Sequence, residues 1–310
     1  MHARGMLAIV SPGQGAQSPG MLEPWLENEA FASALRGYAE AAGLDLLALG
    51  TTADADTIRD TAIAQPLLVA TALASAKALG LGSEHVGLVA GHSVGEFAAA
   101  ALAGVVTDEE AVRLVAVRGR AMAEAAAASE PTSMAAVLGG EPSEVAEALE
   151  RWGLTAANMN GAAQVVAAGS KAGIDSLVAE PPARARVIEL QVAGAFHTPY
   201  MSPAVDALRA AAANVAPSDP SVTLLSNADG AEIASGADAI DRLVRQGANP
   251  VRWDLCMDAM AARGVTGIIE LAPGGVLTGL AKRALKDIPA VPLKTPDDLA
   301  AARELAGALA

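Results

Sequence analysis

Short apolar runs that stop at glycine-rich turns, each followed by residues of helical periodicity, recur along the first 130 positions of this chain. Met6 to Val10 reads as a buried strand ending at Ser11-Pro12-Gly13-Gln14-Gly15. Residues 22–43 alternate apolar and polar positions at helical spacing. Thr61 to Leu79 predicts a longer helix, with Pro66 near its start, where a missing N–H costs little, and Gly80 just past its end. Val86 to Ala90 is a second apolar strand, followed by Gly91-His92-Ser93-Val94-Gly95 and a helix from Glu96 to about Ala103. Asp108 to Ala127 predicts another helix, capped by Thr107. Strand, turn and helix in this repeated order predict a mainly parallel α/β sheet.

The rhythm changes after Ser129-Glu130-Pro131-Thr132. Ser133–Leu138, Leu154–Met159, Gln164–Ala168 and Ala185–Leu190 read as strands, with helices over Pro142–Trp152 and Lys171–Ala179. That β-α-β-β-α-β order is the split, ferredoxin-like pattern. The earlier style resumes near Val192, with helices at 199–213, 236–247 and Asp254–Arg263, and strands at Val222–Ser226 and Gly267–Leu271. The expected fold class is α/β. Residues 1–130 and 191–310 form a large α/β-hydrolase-like domain, and residues 131–190 form a small ferredoxin-like α+β domain inserted in it.

Composition narrows the class. Of 310 residues 52% are hydrophobic and 18% charged, which argues against disorder. A formal net charge of −14 lacks the basic footprint that nucleic acid or an anionic membrane needs. The single cysteine, Cys256, excludes an internal disulfide and any zinc site built from several thiolates, and indicates a reducing compartment. The apolar run at Met6–Val10 is too short for a signal-peptide core. Val86 to Val106 is long enough to span a bilayer, but it carries His92, Ser93 and Glu96. A soluble, cytoplasmic protein is expected.

Gly91-His92-Ser93-Val94-Gly95 fits G-x-S-x-G between a strand and a helix, the setting of a nucleophile elbow. The glycines permit a tight turn that projects the Ser93 hydroxyl, and the helix start offers free N–H groups to a developing oxyanion. An ordinary βα turn with a capping serine is the plainer alternative. A serine nucleophile needs a base, and there are four histidines. His2 is near the terminus, His85 lies a strand length from the turn, and His92 adjoins Ser93, where neighbouring side chains diverge. His197, in Gly194-Ala195-Phe196-His197, is left by elimination, although a capping or core histidine reads equally well there.

Taken together, Pro12-Gly13-Gln14-Gly15-Ala16-Gln17, Gly91-His92-Ser93-Val94-Gly95-Glu96, Arg118 within Val117-Arg118-Gly119-Arg120, Gly194 to His197 and Asn249 to Trp253 resemble, in order, the malonyl-CoA:acyl-carrier-protein transacylases. The acyltransferase domains of polyketide and fatty-acid synthases share that order. The resemblance covers essentially the whole chain.

The resemblance implies that Ser93 attacks the thioester and His197 shuttles its proton, first to CoA and later from the phosphopantetheine thiol of acyl carrier protein. It assigns the oxyanion hole to the backbone N–H groups of Gln14 and Val94, with Gly13 and Gly15 allowing close backbone approach. It singles out Arg118, among 16 arginines, as the partner of the malonyl carboxylate. A guanidinium fork binds a carboxylate bidentately, and one left unpaired by acetyl disfavours that substrate. It also maps Gln65, His92, Asn160 and Phe196 to the cleft, with Phe196 matching malonyl-preferring members, and implies no metal and no cofactor.

The resemblance replaces the usual triad carboxylate by a backbone carbonyl, mapped to Arg252. More than a third of the chain follows His197, unlike an esterase, whose histidine comes late. Ser11 departs from the aromatic residue common before Pro-Gly-Gln-Gly. The leading expectation is therefore a monomeric malonyl transferase acting on malonyl-CoA and acyl carrier protein. A stand-alone polyketide acyltransferase using another extender unit is the alternative, ahead of a serine esterase or thioesterase. Carrier proteins are acidic, so a net charge of −14 requires a local basic patch for docking, with Arg184, Arg186, Lys282, Arg283 and Lys286 as candidates.

Overall fold

The computed structural model describes residues 5–161 and 163–309; His2 and its neighbours lie outside them. The chain runs β1 (Met6–Ser11), α1 (Glu29–Ala42), α2 (Leu46–Thr51), α3 (Ala55–Arg59), α4 (Thr61–Leu79), β2 (Leu88–Gly91), α5 (Gly95–Leu102) and α6 (Asp108–Ala128). Then come β3 (Thr132–Gly139), α7 (Pro142–Arg151), β4 (Thr155–Met159), β5 (Gln164–Ser170), α8 (Lys171–Ala179) and β6 (Ala185–Glu189). The remainder is α9 (Ser202–Ala212), β7 (Thr223–Leu224), α10 (Gly236–Gln246), β8 (Val251–Arg252), α11 (Trp253–Ala262), β9 (Val265–Glu270), α12 (Val276–Ala284), β10 (Ala290–Pro292) and α13 (Asp298–Leu309).

One sheet has the order β10-β9-β1-β2-β7, and every pairing in it is parallel. Its strands read as continuous apolar runs because both faces are covered. Leu7 and Ile9 of β1 pack with helices α1, α4, α5 and α6, while Ala8 and Val10 pack on the opposite face with α11 and α12. Helix α4 is buried almost all round, which explains its lack of a polar face. Among the described residues it is the one helix long and apolar enough to cross a membrane, and 78% of its apolar window is inside the fold. Burying a side chain such as Leu67 or Leu73 there contributes about 1.5–3 kcal/mol. The apolar stretch 86–106 is divided between β2, the turn at Ser93 and α5.

The second sheet has the order β6-β3-β5-β4-β8. Its first four strands are antiparallel neighbours, and α7 and α8 cover one face. The fifth strand, β8, comes from beyond residue 190 and pairs parallel to β4, so a segment outside 131–190 completes this sheet.

Several elements differ from the sequence reading. The helix expected over 22–43 begins at Glu29, because the Asn28 side chain accepts from the Phe31 N–H and caps it there. The strand expected at 222–226 pairs over two residues only. Helices α12 and α13 and strand β10 follow the Pro-Gly-Gly turn, where the sequence reading assigned nothing. By contrast, Thr107 caps α6 through a full capping box with Glu110, and Gly80 closes α4 in the left-handed conformation.

Candidate active site

Strand β2 ends at Gly91 and α5 begins at Gly95, so three residues reverse the chain at the C-terminal edge of the parallel sheet. Ser93 sits at the apex with φ 52°, a left-handed conformation disfavoured for a residue with a Cβ. The flanking glycines are required by contact. A Cβ on Gly91 would lie 2.0 Å from the Gly95 carbonyl oxygen, and one on Gly95 2.3 Å from that of Ser11. Asn227, just beyond β7, braces the turn: its Oδ1 accepts from the Ser93 N–H at 2.7 Å, and its Nδ2 donates to the Gly91 carbonyl at 2.6 Å.

His197 meets this turn from the other side, with Nε2 2.7 Å from Ser93 Oγ. Its orientation comes from α10. A helix leaves its last carbonyls without intrahelical partners. The Gln246 carbonyl lies 2.9 Å from His197 Nδ1, the Asn249 carbonyl 3.2 Å from the same atom, and the Gly247 carbonyl accepts the His197 backbone N–H at 2.9 Å. Carbonyls only accept, so Nδ1 carries the proton and Nε2 offers its lone pair to the Ser93 hydroxyl. The carbonyl expected from Arg252 is not the one used. Arg252 already belongs to β8, where its N–H donates to the Asn227 carbonyl and its guanidinium pairs with Asp254 at 2.9 Å. Burial, with the nearby Arg118 charge and His92 adding to it, holds the His197 imidazole down at about 3, so it is neutral at physiological pH.

Val94, at the N-cap of α5, and Gln14, in the turn after β1, have backbone N–H groups with no hydrogen-bond partner among the described residues. Gly13 does allow close approach, since a Cβ there would lie 2.7 Å from the His92 carbonyl. Gly15 has open space around it and is needed instead for its φ of 105°.

A cavity of about 380 Å³ lies between the two sheets over Ser93. Gln14, Gln65, His92, Asn160, Phe196 and His197 line it, with an apolar wall from α12. His92 and Asn160 are joined through Nε2 and Oδ1 at 2.8 Å, and His92 stacks edge-on against Trp253. Burial pushes the His92 pKa below its ordinary value.

Arg118 lies behind the cavity wall rather than on it. It is 2% exposed, and it reaches Gln65 Oε1 from Nη1 at 2.6 Å and Gln246 Oε1 from Nη2 at 2.8 Å. Its Nε has no partner among the described residues, and its guanidinium carbon stands 5.7 Å from the Phe97 ring centre. Burial lowers its pKa to about 10, which still leaves it charged at neutrality. Among the described residues no carboxylate forms an ion pair with it.

Three contributors escaped the sequence reading: Asn227, Gln246 and the carboxylate of Glu96. Glu96 was the one with a visible signal, being the single charge in the apolar run Gly95–Leu102. Asn227 and Gln246 are brought in by a short strand and a helix end whose pairing partners are distant in sequence.

A serine hydroxyl bonded to a neutral imidazole, beside two free backbone N–H groups, defines the class of enzymes that transfer acyl groups through a serine ester. The model of the family described as acyl transferase domain matches residues 9–307, and the chain belongs to that family. It is 51% identical over 298 residues to the malonyl CoA-acyl carrier protein transacylase of Mycobacterium tuberculosis, covering 95% of this chain and 98% of that protein. Identity to the Escherichia coli protein of the same name is 37% over 312 residues, covering 96% and 99% of the two chains. The crystal structure of MCAT from Mycobacterium tuberculosis superposes with a TM-score of 0.91 at 50% identity, over 97% of this chain and 99% of the other.

Proposed function

We propose that this protein transfers a malonyl group from malonyl-CoA to the phosphopantetheine thiol of acyl carrier protein through a malonyl-Ser93 ester. The observation that carries the reading is a charged, buried Arg118 whose hydrogen-bond partners among the described residues are amide oxygens alone, set behind the cavity that holds the 2.7 Å Ser93–His197 pair. A substrate carboxylate supplies the direct ionic partner that the guanidinium lacks among the described residues.

In the first half-reaction Ser93 Oγ attacks the thioester carbonyl while its proton passes to His197 Nε2. The N–H groups of Gln14 and Val94 face the oxygen that becomes negative. Collapse expels CoA, whose thiolate takes the proton from His197. In the second half His197 deprotonates the carrier thiol, which attacks the malonyl-Ser93 ester; collapse breaks the ester bond to Ser93 Oγ, and the serine oxygen takes the proton back from His197 Nε2. The imidazolium formed in each half is stabilised by the carbonyl end of α10, where the helix dipole is negative. Ser93, His197 and the two N–H groups handle every proton and bond of this cycle, so no cofactor enters it.

Two further aspects belong to the same reading. The strand order β6-β3-β5-β4, antiparallel with two helices on one face, supports a ferredoxin-like small domain over 131–190. The parallel sheet with its elbow supports an α/β-hydrolase-like large domain over 1–130 and 191–310. We also read the protein as a cytoplasmic monomer. Phe196, buried and lining the cavity beside His197, favours malonyl over a more branched extender unit.

Separate incubation with malonyl-CoA and acetyl-CoA, followed by mass spectrometry of the Ser93 peptide, tests the assignment. The expected result is a malonyl adduct that phosphopantetheinylated carrier protein discharges. Equal labelling by acetyl, or none by malonyl, overturns it.

A further inference from the structure

Glu96 follows the G-x-S-x-G turn by one residue and is 1% exposed, yet the acyl-transfer cycle gives it no part. Its Oε1 accepts the Asn227 backbone N–H at 2.8 Å, and its Oε2 accepts from Gln246 Nε2. That same amide nitrogen donates to the Ser93 carbonyl at 2.8 Å, and the amide oxygen accepts from Arg118 Nη2. Gln246 therefore connects the carboxylate to the guanidinium without the two charges touching. The Ser93 carbonyl and the Glu96 carboxylate are both acceptors, so together they hold the Gln246 amide with its NH₂ towards themselves and its oxygen towards Arg118.

From this geometry we infer that Glu96 is a positioning residue for malonyl selectivity: its ionised carboxylate, acting through Gln246, fixes the Arg118 guanidinium for the substrate carboxylate. The inference rests on the function proposed above. The amide relay has a chemical reason. A carboxylate bonded directly to Arg118 would compete with malonyl, whereas a remote one supplies buried counter-charge and leaves only neutral amides on the guanidinium.

Protonation breaks the arrangement. A neutral Glu96 carries an O–H that faces the NH₂ of Gln246, donor against donor. Turning the amide relieves that clash, but it sets the NH₂ against Arg118 and abandons the Ser93 carbonyl. The charged groups acting on Glu96 are Arg118 on α6 and Arg242 on α10; Cys256 on α11 feels its charge, and Asp229, in the loop after β7, acts on that cysteine and lines a cavity with Glu96. Burial raises the Glu96 pKa to about 7, against the lowering effects of Asn227, Gln246 and the two arginines. A second cavity of about 450 Å³, lined by Glu96, Gln246, Asn249 and Arg242, reaches the carboxyl from the side away from the Ser93 cavity. Proton exchange with solvent therefore need not pass through bound substrate.

The raised pKa fixes the sign. The selective arrangement forms above about pH 7 and is lost as pH falls through it. The test is the ratio of kcat/KM for malonyl-CoA over acetyl-CoA, followed from about pH 6 to about pH 8.5 in the wild type and in Glu96→Gln. An amide at 96 accepts from Asn227 or from Gln246 but not from both, so it mimics the protonated state. In the wild type the ratio is expected to rise about tenfold or more across neutrality, the effect of one hydrogen bond to a charged group. In Glu96→Gln it stays flat at the low-pH value. Both substrates are read in one preparation, so a smaller folded fraction does not move the ratio. A wild-type ratio level across pH 7, or a Glu96→Gln ratio equal to the wild type at high pH, overturns this inference alone. A wild type that never prefers malonyl overturns the proposed function and this inference with it.

Discussion

The Nδ1–H of His197 points at the Gln246 carbonyl 2.9 Å away, so the orienting partner of the imidazole is a neutral helix end. A carboxylate in that place would raise the pKa of the imidazole. A carbonyl does so much less, and burial beside Arg118 dominates, leaving the histidine at about 3. The neutral, proton-accepting form is therefore fully populated in the resting enzyme across physiological pH. Acylation of Ser93 by acetyl-CoA, which does not draw on Arg118, is expected to be level between about pH 5 and pH 7. Quenched-flow labelling checks it, and an acid limb near the ordinary histidine value of 6.5 would contradict the assignment.

The left-handed backbone at Ser93 carries its own energetic signature. Removing the hydroxyl abolishes the adduct whichever residue replaces it, but the replacements differ in stability. Alanine keeps a Cβ at φ 52°, and glycine does not. Ser93→Gly should therefore be more stable than Ser93→Ala by about 1 kcal/mol, the usual cost of a left-handed L-residue. Denaturant unfolding of the two inactive variants measures the difference. Equal stabilities would mean that the turn is not strained.

What was legible in the sequence follows from how local each signal is. Periodicity and caps locate α4 and α6 closely, because the Thr107 side chain and the Gly80 backbone act on their own neighbours. Ser93 and His197 were recoverable because a rare residue type and a turn motif mark them. The carbonyl that orients His197 was not. Any residue has a carbonyl, and the end of α10 supplies it through contacts 49 and 52 residues away. Gln246 carries no distinguishing type or spacing, and β8 pairs over only two residues. Tertiary placement alone distinguishes them.

Arg118→Gln tests the carboxylate partner directly. A neutral amide keeps some hydrogen bonding to Gln65 and Gln246 but loses the charge. Malonyl labelling of Ser93 is expected to fall at least a hundredfold, about what one charged, bidentate recognition contact supplies. Acetyl labelling should persist, because Ser93, His197 and the two N–H groups are untouched. Parallel rapid-mix labelling with both thioesters checks this, and equal losses for both would show Arg118 to be a structural residue.

Docking of an acidic carrier protein must overcome a net charge of −14, so it depends on where unpaired cations lie. The five basic residues picked out from the sequence divide in two. Arg184 is spent on an ion pair with Glu141 at 3.1 Å, and with Arg186 it lies at the start of edge strand β6. Lys282 and Arg283 sit on α12 and Lys286 just beyond it, all exposed, and among the described residues none forms an ion pair. Arg283 also reaches Gln164 Oε1 at 3.1 Å, and both Gln164 and the start of α12 line the Ser93 cavity. A phosphopantetheine arm entering over that rim passes directly onto residues that line the Ser93 cavity. Reversing Lys282 and Arg283 to Glu should raise KM for the carrier protein about tenfold or more at low salt, with kcat nearly unchanged. Added salt should narrow the gap, because exposed charges are screened over about 8–10 Å at 0.1–0.15 M. Arg184→Glu should leave KM within about twofold, as expected for an exposed residue already paired. A larger effect from Arg184 than from the α12 pair would move the docking surface to the β6 edge.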